Sequence, residues 1–149
     1  MRGKVELIHI ADVKGGPVRP LETAEAVAGV GLAGDRNHRE NGNSPGRDLT
    51  LIEAEELEAL ARDHGIHLAP GETRRNITTR GIRLNDLVGK EFWVGDVLAR
   101  GVKINEPCQY LQDLVDKPIL KPLAHRAGIR ADLLTDGRVS VGDRVEAKS

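Results

Sequence analysis

The chain has 149 residues, about one domain's length, and its 39% hydrophobic and 30% charged residues exclude wholesale disorder. A formal net charge of −1 excludes a global field for nucleic acid or an anionic membrane, and one Phe, one Trp and one Tyr are too few for a base-stacking RNA surface. Cys108 is the only cysteine, which excludes an intramolecular disulfide and a multi-thiolate zinc site.

No stretch approaches the roughly 20 apolar residues of a membrane span. The opening MRGKVELIHIADVKGG has no apolar signal-peptide core, so a cytoplasmic location without membrane contact is expected. Val5, Leu7 and His9 alternate with Glu6, Ile8 and Ile10 and predict a largely buried first strand over 4–10, broken by Lys14-Gly-Gly-Pro17. A second extended piece is predicted over 22–30, ending at Gly31. Asn37–Gly46 is polar, with Asn-Gly and Ser-Pro pairs, and reads as an exposed, mobile loop. Thr50-Leu-Ile-Glu53 has the spacing of a capping box, in which each side chain satisfies the other residue's backbone N–H. Leu57, Leu60, Ala61 and His64 follow at helical spacing, predicting a helix over 51–64 with Gly65 as its left-handed C-cap.

Glycine pairs and turns then punctuate β-prone pieces at Asn76–Thr79, Glu91–Val94 and Val97–Ile104. Pro107, a residue favoured at the first helical position, predicts a short helix through Leu111, Leu114 and Val115 that stops near Pro118. Lys121–Ala127 is expected to add a helical turn or two. The tail from Leu133 reads as strand, Asp-Gly turn and closing strand. Many short strands with few helices predict a mainly β fold: a compact, closed or nearly closed β-barrel with a few peripheral helices, in one domain over 1–149.

Three segments are candidates for carrying chemistry. Cys108 is predicted in the first turn of a helix, where unpaired N–H groups favour a thiolate, the form needed for sulfur chemistry and for ligating a soft metal; a packed, inert thiol is the alternative. Gly31-Leu-Ala-Gly-Asp-Arg36 combines two flexible glycines with Asp35 and Arg36, whose guanidinium suits a phosphate, although a plain turn with a surface ion pair fits as well. Arg74, Arg75, Asn76, Thr78 and Thr79 gather hydrogen-bonding side chains as for an anionic ligand, or as a polar hairpin. The five histidines have no metal-ligand spacing, and neither a P-loop nor a serine-hydrolase elbow is present.

Taken in order, Gly31–Arg36, Leu49–Leu60, Pro70–Ile77, Val94–Leu98 and Pro107-Cys108 resemble the MOSC family, the domain at the C-terminus of molybdenum-cofactor sulfurases, across roughly residues 4–146. The resemblance implies a barrel-like β fold in a stand-alone MOSC domain and a role in molybdenum or sulfur chemistry. It makes Cys108 the thiolate ligand of a molybdenum–pterin cofactor (molybdopterin). It makes Arg36, Arg75, Asn76 and Thr78 contacts of the pterin or its phosphate, with Asp35 orienting a neighbour.

Three functions follow from that likeness. The first is an oxidoreductase component that reduces N- or S-oxygenated small molecules with a separate electron donor. The second is a sulfur carrier whose Cys108 accepts a persulfide from a cysteine desulfurase; pyridoxal phosphate then belongs to that partner, since no lysine motif here argues for it. The third is a non-catalytic binding module with Cys108 merely packed.

Overall fold

The computed structural model describes residues 2–149; Met1, the first residue of the expected domain, lies outside the described residues. The first strand, β1 (Arg2–Ala11), is longer than alternation alone predicts and is shared between neighbours. One edge pairs with β6 (Ile77–Arg80). The other edge is divided: Arg2–Lys4 pair with β11 (Arg144–Ala147), and Ile8–Ala11 pair with β2 (Val18–Leu21). A bulge between Val5 and Leu7 supplies the local twist this division needs.

From β6 the ring continues through β5 (Leu49–Glu53), β9 (Ile129–Leu133), β8 (Val97–Ile104) and β7 (Glu91–Val94) to β11, and so back to β1. Seven strands thus close a barrel, and β2 extends from its rim. A three-stranded sheet of β3 (Thr23–Val27), β4 (Gly31–Leu32) and β10 (Gly137–Ser140) packs Ala24, Ala26, Leu32 and Val139 into the same core as the barrel's Leu49, Leu51, Ile77, Phe92 and Val145. The mainly β barrel expected from strand spacing is therefore observed, and the extents of β7 and β8 match the predicted ones.

Three local expectations fail for tertiary reasons. The capping box at Thr50 does not form: Leu49–Glu53 is extended, antiparallel to β9 on one side and parallel to β6 on the other. Burial of Leu49, Leu51 and Ile52 in the barrel outweighs the local signal, and the helix α1 starts later, at Ala54–His64, with no side-chain cap from Glu53. Gly65 does end it in the left-handed conformation. The parallel pair β5–β6 is reached across α1, as a parallel crossover requires. Secondly, Asp136-Gly137 makes no hairpin, because β9 and β10 belong to different sheets; Asp136 instead accepts the Ala28 N–H at 2.8 Å. Thirdly, α2 (Gln109–Val115) is shorter than expected, with Cys108 as its extended N-cap residue and Pro107 outside it.

A second, smaller core sets the position of α2. Leu111 and Val115, one turn apart, pack with Leu60 of α1 and with Ile119, Leu123 and Ala127 of the turns that follow. Residues 121–127 form turns rather than a regular helix. Among the described residues no helix is long and apolar enough to cross a membrane.

Candidate functional site

Four chain segments meet at one end of the barrel: the β1–β2 connection, the turn and loop after β4, the turn before β6, and the stretch from the end of β8 into α2. Between them lies a cavity of about 630 Å³. Its wall includes Thr50, Asn105, Cys108, Tyr110 and six arginines: Arg36, Arg39, Arg47, Arg74, Arg75 and Arg130.

Asp35 builds the first wall. Its carboxylate accepts the Ala11 N–H at 3.1 Å and the Asn37 N–H at 3.3 Å, tying the turn after β4 to the end of β1 and aiming the Arg36 side chain into the cavity. The polar loop 37–46 is held down rather than loose: Asn43 Nδ2 donates to the carbonyls of Val30 and Asn37 and to Asp48. Gly46 N–H donates to Asp132 on β9 at 2.7 Å, which brings Arg47 to the cavity rim.

The turn before β6 builds the second. Arg74 holds φ at +64°, a conformation that costs a non-glycine residue on the order of 1 kcal/mol or more. Its Nη1 donates to the Gly16 carbonyl at 2.7 Å, while Nε and Nη2 are buried without partners. Arg75 is 9% exposed and donates to three main-chain carbonyls: Nε to Ala127 at 3.0 Å, Nη1 to Thr73 at 3.2 Å and Nη2 to Asn105 at 3.0 Å. A guanidinium has five N–H groups, so two remain for a ligand.

Asn76 and Thr78 behave differently. Asn76 Oδ1 accepts from the Thr50 N–H and hydroxyl, and Nδ2 donates to the His9 carbonyl, so this side chain ties β5 and β1 together. Thr78 is buried in β6 and does not line the cavity. Of the residues expected at a site, Cys108, Arg36 and Arg75 thus share the cavity; Asp35 supports it from behind; Asn76 and Thr78 lie within the fold.

Arg39, Arg47, Arg130, Asn105 and Tyr110 were not singled out by sequence. Arg130 sits at a polar position of the alternating strand Ile129–Leu133, a pattern that marks a face but not its use. Arg47 follows a Ser-Pro-Gly turn with no local signal. Asn105 stands three residues before Cys108, its Nδ2 buried without a partner, at 5% residue exposure.

The charge balance distinguishes this site from the rest of the surface. Each of the other nine arginines of the chain lies within 4.0 Å of a carboxylate. None of the six around the cavity has such a partner among the described residues. The cavity's two carboxylates are engaged elsewhere: Asp12 pairs with Arg19 at 3.3 Å, and Glu106 with His125 at 2.5 Å. Burial, then the neighbouring Arg130, pushes Arg75 down to about 10, while Cys108 opposes the shift. Arg74 is lowered by burial and by Arg36, and Arg130 by burial, Arg47 and Arg36. Arginine stays protonated at neutral pH, so these shifts register chiefly the cost of burying the cations and secondarily their mutual repulsion, both of which an anion would offset.

Cys108 is exposed on the cavity wall, at the base of α2. Above it Lys14 lies over the Tyr110 ring at 5.0 Å, so the β1–β2 connection rests against α2 across the mouth.

His9 lies behind the site, 4% exposed, with Nδ1 unpartnered and its ring so close to Gly71 that a Cβ there would lie 2.5 Å from the ring. Burial holds its pKa below the ordinary 6.5. The unfolded state therefore binds the proton more readily: His9 favours the fold fully above pH 6.5 and loses that contribution as pH falls toward the lowered folded value. Urea midpoints are expected to drop between pH 7.5 and 5.5 in the wild type, and to drop less in His9→Gln. Parallel declines in the two proteins would remove His9 as the cause.

The fold and cavity define the class: a closed β-barrel protein with an arginine-walled cavity and one thiol at its edge. The MOSC domain model matches residues 36–146, and the chain belongs to the MOSC domain family. The YuaD protein from Bacillus subtilis is similar in structure, with a TM-score of 0.84 at 20% identity over 99% of this chain and 96% of that one. YiiM from Geobacillus stearothermophilus superposes with a TM-score of 0.75 at 14% identity, over 99% of this chain and 75% of that one. YiiM from Escherichia coli does so with 0.72 at 20% identity, over 100% and 70%. At these identities the likeness is one of fold. No curated protein sequence matches the chain.

Proposed function

We propose that this cavity binds a phosphate-bearing molybdenum–pterin cofactor and that Cys108 supplies the thiolate ligand to its metal. One observation carries the reading: six arginines without carboxylate partners converge on the cavity that the chain's single thiol borders. The donor set fits the group. Buried, unpartnered N–H groups on Arg36, Arg74 and Asn105 await acceptor oxygens, as a phosphate or a pterin carbonyl offers, and a sulfur ligand suits a soft metal. Arg36, Arg74 and the two spare N–H groups of Arg75 would hold the anionic part. When bound, such a group supplies two-electron oxygen-atom transfer, matching reduction of N- or S-oxygenated small molecules with electrons from a separate donor protein. The chain's own contribution is to fix the cofactor, screen its negative charge and leave a side of the cavity for substrate.

The test is molybdenum per chain after expression in a host that makes the cofactor. Near-stoichiometric metal is expected in the wild type, and at least a tenfold loss in Cys108→Ser with an unchanged unfolding midpoint. Equal metal in both proteins would refute the thiolate assignment.

Exposure of Cys108 favours a second reading, a sulfur carrier. There the Cys108 thiolate attacks the outer sulfur of a desulfurase persulfide, takes that sulfur and releases the desulfurase cysteine as thiolate. Pyridoxal phosphate would reside on the desulfurase. Mass analysis after incubation with a cysteine desulfurase and cysteine would show a gain of one sulfur on Cys108, and none in Cys108→Ser.

A further inference from the structure

The cavity's positive charge falls into two groups. Arg36, Arg74 and Asn37 line the main cavity and also border, with Asp35, a cleft between β1 and the turn after β4 that is too tight to admit a ligand of its own. Arg47, Arg130, Asn105 and Cys108 line the main cavity and have no part in that cleft. Their elements are tied to each other instead. Gly46 is bonded to Asp132 of β9, and a Cβ on Gly46 would lie 3.5 Å from the Arg130 Cβ, so the Arg47 loop is packed on Arg130. The Asn105 N–H donates to the Gly128 carbonyl at 2.8 Å, two residues before Arg130. Beyond the effect of burial, Arg130 senses Arg47 and Cys108 and Arg74 senses Tyr110 and Asp35, while Arg36 acts on both.

Each group presents unpartnered donors; the Asp35 carboxylate lies near the first, and Glu106 near the second is engaged by His125. On the cleft side the donors are Arg36 Nη1 and Arg74 Nε and Nη2; on the Cys108 side the Asn105 amide is buried, unpartnered and part of the cavity wall. One phosphate spans a single guanidinium cluster, because its oxygens reach donors only within about 3 Å.

We propose that the Cys108 side of the cavity, built by Arg130, Arg47 and Asn105, is a second anion subsite that receives the oxyanion group of a small-molecule substrate, separate from the Arg36–Arg74 subsite that receives the cofactor phosphate. The assignment of the two roles rests on the cofactor reading above; the existence of two subsites does not. Placing the substrate anion between Arg130 and Asn105 brings its remaining atoms beside Cys108, where the metal would be held.

Titration of the isotopically labelled apo chain with inorganic phosphate, followed by backbone amide resonances, reads both subsites at once. Two isotherms are expected: one at Asp35, Arg36 and Arg74, the other at Arg47, Asn105 and Arg130. Arg74→Ala should weaken the first about tenfold or more and spare the second. Arg47→Ala, at an exposed loop position where the fold is not at risk, should do the reverse. A single isotherm shared by both sets, or the loss of both in either variant, would overturn the division; no response to phosphate would overturn it together with the anion-site reading. Arg47→Ala should lower molybdenum per chain less than Arg74→Ala does, and an equal or larger loss there would transfer this subsite to the cofactor. A chain that holds no molybdenum yet shows both isotherms would refute the cofactor and leave the two subsites standing.

Discussion

Gly128→Ala is expected to lower stability by at least about 3 kcal/mol and to leave little folded protein at 37 °C. Gly128 holds φ at +94°, and a Cβ there would lie 1.8 Å from the Leu51 carbonyl oxygen, in the middle of β5. Backbone strain in this region costs about 1–3 kcal/mol by itself. The clash is with main chain, so it cannot be relieved by turning a side chain. β5 and β9 would have to separate where Leu51 pairs with Ile129, inside the closed ring. The damage would reach the cavity, because Ala127 and Gly128 supply the carbonyls that receive Arg75 and Asn105. Thermal unfolding followed by circular dichroism measures it; an unchanged midpoint would show that β5 tolerates the displacement.

Arg75→Ala is expected to cost about 3–5 kcal/mol, even though Arg75 also faces the ligand cavity. Its guanidinium joins three segments through the carbonyls of Thr73, Asn105 and Ala127, and truncation leaves all three acceptors without their donor. Relief of a buried charge offsets part of this, since burial already disfavours the cation. Arg75→Lys should fall between the two, because an ammonium is a point donor and cannot serve three carbonyls from one planar fork. Urea unfolding of the three proteins orders them. A loss under about 1 kcal/mol in Arg75→Ala would mean that water replaces the lost bonds, and that Arg75 serves the ligand alone.

These two residues show what could be read in the sequence and what could not. Strands such as Glu91–Val94 and Val97–Ile104 were legible because alternation and flanking turns agree with the pairing they make. The stop at Gly65 was legible because a C-cap is a local event. Thr50-Leu-Ile-Glu53 misled because a local capping signal competes with a strand buried between two neighbours, and the burial decides. Within the run of donors from Arg74 to Thr79, sequence identified a cluster but could not say which side chains turn outward. Arg75 reaches the cavity, Asn76 is consumed by Thr50 and His9, and Thr78 lies inside the barrel wall. Arg47 and Arg130 meet only because Gly46 is bonded to Asp132, a contact between segments far apart in the chain.

The divided edge of β1 also sets the order in which this molecule can assemble. Strand pairs from β5 to β9 form from nearer neighbours, but the ring closes only when Arg2–Lys4 meet Arg144–Glu146. The Val5 N–H and carbonyl complete that seam with Asp143 and Gly142. Bringing together segments so distant in sequence carries the largest loop-closure entropy of any pairing in the fold, so closure is expected to come late in folding. Until β11 pairs, Arg2–Lys4 is an open strand edge, and the unclosed barrel is most vulnerable to intermolecular strand pairing in that interval.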